Sequence, residues 1–243
     1  MNRHRHIRIL SVFMVSMVAL ILIAAAPEAA AKKNTIPLAI KKIFFEYNST
    51  ASALGDLGVH VFLDGEDWKE IKIVNPNGRT IFEVEGKGPY KDLGLTELFF
   101  EGAEPDLADV PLQELLDRFP AGNYQFVGKT VDGTRIADTA TLTHAIPAGP
   151  SNVTAVLGLN NSLIISWNAV TSPPVGFPVL PINIVGYQVI VSEFLVTVPA
   201  NILSVTVSPE FVGSLASGLQ LFEVLAIEAG GNQTITEGSF TKP

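Results

Sequence analysis

Short apolar alternations, separated by tight-turn chemistry, recur from residue 38 to residue 240 and restrict this chain to stacked β-sheets. Residues 38–47 read as a first strand and 48–55 as a small, polar loop. In 58–63, Val59, Val61 and Leu63 face one way and His60 and Phe62 the other, with a turn expected at Asp64-Gly65. Residues 71–74 and 80–85 flank Asn75-Pro76-Asn77-Gly78, and 124–130 and 135–144 flank Asp132-Gly133, so both read as hairpins. Residues 98–101 offer a further strand. One window departs from a period of two. Leu112, Leu115, Leu116 and Phe119 fall at i, i+3, i+4 and i+7, which predicts a helix over 110–119 with Asp109 or a neighbour as cap and Pro111 in its first turn.

Charge divides the chain. Residues 32–150 hold 18 acids and 12 bases, whereas 151–243 hold five acids (Glu193, Glu210, Glu223, Glu228, Glu237) and one base, Lys242. That step predicts two domains of about 100 residues each, 32–145 and 151–243. Ile146-Pro147-Ala148-Gly149-Pro150 between them reads as a stiff linker that sets the two end to end. Residues 1–31 read as a signal peptide: Arg3, Arg5 and Arg8 precede an apolar run from Ile9 to Ala26, and Ala29-Ala30-Ala31 fits a cleavage site. An uncleaved anchor is the alternative, because the run reaches the roughly 18 residues that a span needs. Without the leader, 13 basic and 23 acidic residues remain, a net charge of −10. That balance speaks against nucleic acid as a partner and against stable membrane insertion after leader removal. The expected location is secreted or periplasmic. Cysteine is absent, so stability rests on core burial rather than disulfides.

Beyond residue 151 the pattern becomes specific. Leu163-Ile164-Ile165-Ser166-Trp167 ends a strand on a Trp, Tyr187, Val189 and Val191 alternate, and Phe222-x-Val224-x-Ala226 leads into Gly230-Gly231-Asn232. With 204–207 and 234–240, these segments resemble a fibronectin type III domain over about 90 residues, which implies a β-sandwich with Trp167 in its core. Where that family commonly holds a corner tyrosine this chain has Gln220, so the corner hydrogen bond is replaced or missing. Gly122-Asn123-Tyr124-x-Phe126 resembles a late strand of immunoglobulin-like domains. Through segments 61–68, 94–101 and 225–234, the whole mature chain resembles a group of exported bacterial proteins that pair an N-terminal sandwich with such a module. That resemblance implies an address and no activity. The expected fold is all-β: two tandem β-sandwiches, the first immunoglobulin-like with one short helix, the second fibronectin type III-like.

Catalytic chemistry is thinly represented. With no cysteine, a nucleophilic triad would need Ser or Thr with His60 or His144. Neither histidine neighbours a Gly-x-Ser-x-Gly elbow, and both read as surface or boundary residues. Glu83 and Glu85 share a strand face at about 6–7 Å, a spacing found in acid/base pairs and on any solvated strand. Asp64, Glu66 and Asp67 are the metal candidates, because clustered carboxylates on a loop suit calcium. Glu46, Asn48 and Asp56 would approach them if the first two strands are adjacent, and an ordinary charged turn gives the same residues. Glu104, Asp106 and Asp109 precede the helix, where its dipole favours acids. No other cofactor is expected.

The proline-rich loop 172–181 offers Phe177, Val179 and Leu180 as an interaction surface, with Gly231 and Asn232 nearby. The same side chains could instead cover their own sandwich or pack on the first domain. Trp68 with Tyr90 is the one aromatic pair nominated for stacking on a sugar. The expected function is a non-catalytic exported binding or spacer protein that recognises a protein or polysaccharide partner in the envelope or outside the cell. The alternative is a carbohydrate- or polymer-binding accessory subunit of an extracellular enzyme system, and a hydrolase ranks last.

Overall fold

In the computed structural model, which describes residues 35–158 and 160–243, the N-terminal half runs through β1 (Thr35–Ile36), β2 (Ile40–Asn48), β3 (Asp56–Val74), β4 (Thr80–Glu85), α1 (Pro89–Leu93), β5 (Leu95–Glu101), α2 (Leu112–Arg118), β6 (Gly122–Thr130) and β7 (Arg135–Leu142). The expected leader, 1–31, lies outside the described residues.

The expected turn at Asp64-Gly65 is a correction: β3 runs straight through it for 19 residues. Up to Asp64, β3 pairs antiparallel with β2 and β5; from Trp68 onward it pairs mainly with β6 and β4. The register shifts between Asp64 and Trp68. The strand thus leaves one layer and joins the other, which is how a sandwich corner is turned. Gly65 permits the crossing, because a Cβ there would come within 2.8 Å of a Leu38 methyl carbon. Before the shift Leu57, Val59, Val61 and Leu63 point inward; after it Trp68, Ile71 and Ile73 do. Together with Phe45, Tyr124, Phe126, Ile136 and Leu142 they form one buried core. Phe82 on β4 stacks on Phe100 of β5 with ring centroids 4.3 Å apart.

Helix α2 buries Leu115 and Leu116 against this core. Its N-cap is Pro111 with no side-chain cap, so Asp109 does not cap it. Helix α1, five residues long and without a buried residue, is too short for periodicity to reveal. The Tyr124 hydroxyl donates to the Pro120 carbonyl four residues upstream, at 3.1 Å. Burial pushes this phenol up to about 12, so it stays a donor at ordinary pH. The bond ties the start of β6 back to the chain that leads into it.

The C-terminal half contains β8 (Thr154–Leu157), β9 (Leu163–Ser166), β10 (Ile184–Val191), β11 (Phe194–Pro199), β12 (Ser204–Val207), α3 (Pro209–Ser214), β13 (Gly218–Glu228) and β14 (Gln233–Lys242). One sheet has the order β12-β9-β8 and the facing set β11-β10-β13-β14, the fibronectin type III-like arrangement. Trp167 is buried between them, its ring centroid 5.4 Å from that of Tyr187. The corner position is filled by a substitute: the Gln220 amide donates to the Ala216 carbonyl, again four residues upstream, at 2.9 Å.

The two halves do not simply meet end to end. β14 pairs in parallel with β2, matching Gln233 to Glu46, Thr234 to Tyr47 and Ile235 to Asn48, so one sheet runs through both. Ile146, Pro147 and Pro150 of the linker are buried. The Thr234 hydroxyl donates to the Pro147 carbonyl, and the Ala148 N–H to the Ser172 carbonyl.

Phe177 is a wedge in this seam rather than an exposed tip. It is 8% exposed, its ring 4.8 Å from that of Tyr47 and counted with the N-terminal core. Phe177→Ser is expected to lower the melting temperature by about 5–10 °C, from roughly 2–3 kcal/mol of lost burial. Thermal melts followed by circular dichroism check this; an unchanged midpoint would return Phe177 to the surface.

Candidate functional site at the seam

Outward-facing positions of β2 and β3 build the site. His60 is out of phase with Val59 and Val61, as its position in the alternation predicts, yet it is only 4% exposed. The expectation of a surface histidine is therefore corrected. The Phe44 and Phe99 rings lie against the imidazole, with centroids at 5.3 and 6.0 Å. Its Nε2 is 2.8 Å from Glu104 Oε1 and 3.9 Å from Glu46 Oε1. Gly58 shares this face, and a Cβ on it would stand 2.5 Å from Glu104 Cγ. The missing side chain is what lets Glu104 lie over the histidine.

Glu46 is fixed from the other half of the molecule, since the Gln233 amide on β14 donates to its second carboxylate oxygen. Burial holds the Glu46 carboxyl above the usual carboxylate range, partly offset by His60 and by the Gln233 bond; Glu104 and Glu101 push it further up. Glu101 faces His60 in register across β3 and β5. Among the described residues, Glu46, His60 and Glu104 form a group of three whose ligand atoms lie within 4.8 Å of one another.

Phe44 and Gln233 also line an open cleft of about 630 Å³ between the two halves. Its other walls include Lys42, Thr141, Gln188, Thr197 and the Gly230-Gly231 backbone. Lys41, also at the rim, is held by Asp138 at 3.0 Å. Lys42 is exposed and forms no ion pair among the described residues. The lining mixes amide, hydroxyl and ammonium groups with apolar ones from Ile43, Phe44, Ala140, Ile227 and Ala229, a combination that suits a partner with both polar and apolar groups.

The sequence-predicted residues separate. Asp64, Glu66 and Asp67 lie within β3 at the sheet change, not on a loop, and the structure does not gather them into a metal-binding group. Gly231 lines the cleft. Asn232 is fully buried and structural. Val179 is 92% exposed and Leu180 39%, apart from the buried Phe177. Trp68 is buried and Tyr90 exposed, so they present no shared stacking face. Glu83 is paired with Lys72, and Glu85 with Lys87. His144 donates from Nε2 to the Phe119 carbonyl at 2.9 Å.

No protein-family model matches the chain, and no curated protein matches it. Among solved structures, it is similar to the spore cortex lytic enzyme SleM of Clostridium perfringens at 15% identity and a TM-score of 0.32, over 40% of this chain and 28% of that one. A two-domain fibronectin type III segment of chicken tenascin matches at 12% identity and a TM-score of 0.26, over 84% and 96%. The human OSCAR ligand-binding domain matches at 10% identity and a TM-score of 0.29, over 85% and 98%. None of these likenesses carries a residue role to this chain. Among the described residues, no helix is long and apolar enough to cross a membrane.

Proposed function

We propose that this is a non-catalytic exported binding protein that holds an extended partner, a protein segment or a polymer, in the cleft between its two sandwiches. The carrying observation is that both halves supply walls to that cleft while the parallel β14–β2 pairing fixes their spacing. A preformed groove loses little conformational entropy on binding. The non-catalytic reading is supported by the carboxylate pairs and His144, which are occupied in ion pairs or backbone bonds. Export is supported by the leader pattern. The accessory polysaccharide-binding reading has less behind it, because the aromatic pair nominated for stacking is split between core and surface.

The test fills the cleft. Thr197→Trp, at an exposed strand position, is expected to leave the melting temperature unchanged and to weaken partner binding about tenfold or more, or 1.4 kcal/mol. Peptide and glycan arrays followed by titration provide the measurement. Undiminished binding by Thr197→Trp, with loss in a Val179→Ser/Leu180→Ser protein, would move the recognition surface to the proline-rich loop.

A further inference from the structure

We propose that Glu46, His60 and Glu104 bind a zinc-class divalent cation. The three donors come from β2, β3 and the segment after β5, so an ion would join stretches that are distant in the chain. Two carboxylates face one imidazole, and neither is paired with Lys or Arg among the described residues. The negative charge at this part-buried spot is therefore underbalanced, which is what a divalent ion would correct.

The donors are also oriented. The His60 side chain is 5% exposed and its ring is held between Phe44 and Phe99, so Nε2 has one direction to point. Gln233 occupies Oε2 of Glu46 and leaves Oε1 toward the imidazole, an outer contact of the kind that aims metal ligands. Gly58 gives Glu104 its room. Two ligands of a tetrahedral zinc stand about 3.3 Å apart. The distances from Nε2, 2.8 and 3.9 Å, lie on either side of that value; the shorter one is a hydrogen bond that an ion would replace, with the imidazole proton carried on Nδ1 instead.

The donor set chooses the metal. One imidazole nitrogen and two carboxylate oxygens suit zinc and its neighbours, with a fourth position left to water. Calcium asks for six to eight oxygens and magnesium for near-octahedral oxygen, neither of which is assembled here. An ion here would also reinforce the seam, since Glu46 is tied to β14 through Gln233.

The experiment titrates zinc chloride into chelator-treated protein by calorimetry, with cobalt(II) absorption as a report on geometry. One equivalent should bind at micromolar or tighter affinity, and cobalt should show tetrahedral visible bands. At zinc a hundredfold above Kd the melting temperature should rise by about 5–10 °C. His60→Gln alters a buried residue, so the deciding variant is Glu104→Gln, whose side chain is 24% exposed. It should stay folded, bind zinc at least tenfold more weakly and lose most of the thermal shift. His4 and His6 can bind zinc on their own, so a His4→Ala/His6→Ala protein should keep the tight site. Folded Glu104→Gln protein that binds as tightly as wild type would overturn the proposal. So would wild type that gives no heat, or calcium that binds as tightly as zinc.

Discussion

Replacing Asn232 with Ala is expected to cost about 3–5 kcal/mol of stability and to separate the unfolding of the two sandwiches. Asn232 is fully buried. Its Nδ2 donates to the carbonyls of Thr143 and Ala145, at 3.0 and 3.1 Å, and to the Thr143 hydroxyl at 3.0 Å. Its Oδ1 accepts the Phe45 N–H at 2.9 Å. One side chain thus bonds β2, the end of the first sandwich and the start of β14. Alanine would strand a buried N–H and two carbonyls, each worth about 1–3 kcal/mol when left unpaired. Asn232→Asp keeps the shape but loses the donors and puts a carboxylate against two carbonyls, so it should be no better tolerated. Urea unfolding followed by fluorescence from Trp68 and Trp167, one in each core, provides the measurement. Wild type should show one transition, and Asn232→Ala two with separate midpoints. A loss under about 1 kcal/mol with a single transition would mean that the β14–β2 pairing holds the seam without the side chain.

Local pattern made most strands legible. Strands β4, β6 and β7 sit where alternation and hairpin residues put them, because Asn75-Pro76-Asn77-Gly78 turns the chain into β4 and Asp132-Gly133 turns it between β6 and β7, and β9 and β10 sit where the fibronectin type III resemblance put them. β11 carried no such mark. It follows β10 through Ser192-Glu193, where Ser192 takes a φ of 52° without a glycine to signal it. The Asp64-Gly65 error has the same root in reverse. Asp-Gly is turn chemistry, but here the glycine serves close packing on Leu38 while β3 changes layers.

The site was barely legible. His60 stands out of phase with the core, but Glu46 was expected beside Asp64, Glu66 and Asp67; the β2–β3 register sets Ile40 opposite Asp64 and brings Glu46 level with Gly58, next to His60 instead. What the chain could not reveal locally was Glu104, placed over His60 by a loop 44 residues on, or Gln233, 187 residues from the carboxylate it holds. The Gln233 contact follows from the parallel β14–β2 pairing, and parallel partners leave no hairpin signature between them; the Glu104 contact follows from the chain leaving β5 beside β3. For Phe177, the loop's composition read as an exposed interaction surface, with packing on the first domain as the alternative, and the alternative holds because Tyr47 of the other half offers the ring it packs on.

Trp68→Ala should be among the most damaging single changes in the first sandwich, at about 3–5 kcal/mol. The residue is fully buried where β3 passes between layers, opposite Leu95 on β5 and Thr130 on β6. A void there would undercut both sheets, because β3 is the strand they share. Among the described residues the indole Nε1 has no acceptor, and the same holds for Trp167 in the second sandwich. Size and shape, not a hydrogen bond, are therefore what the position demands. Trp68→Phe removes that donor and keeps a ring, so it should cost only about 1–2 kcal/mol. Denaturant midpoints for the three proteins test the ordering: wild type first, Phe close behind, Ala far below. If Trp68 served as a sugar-stacking platform instead, Ala would unfold within about 0.5 kcal/mol of wild type while polymer binding fell. The two roles predict opposite columns of the same experiment, and the burial of the indole at the crossing of β3 decides for the first.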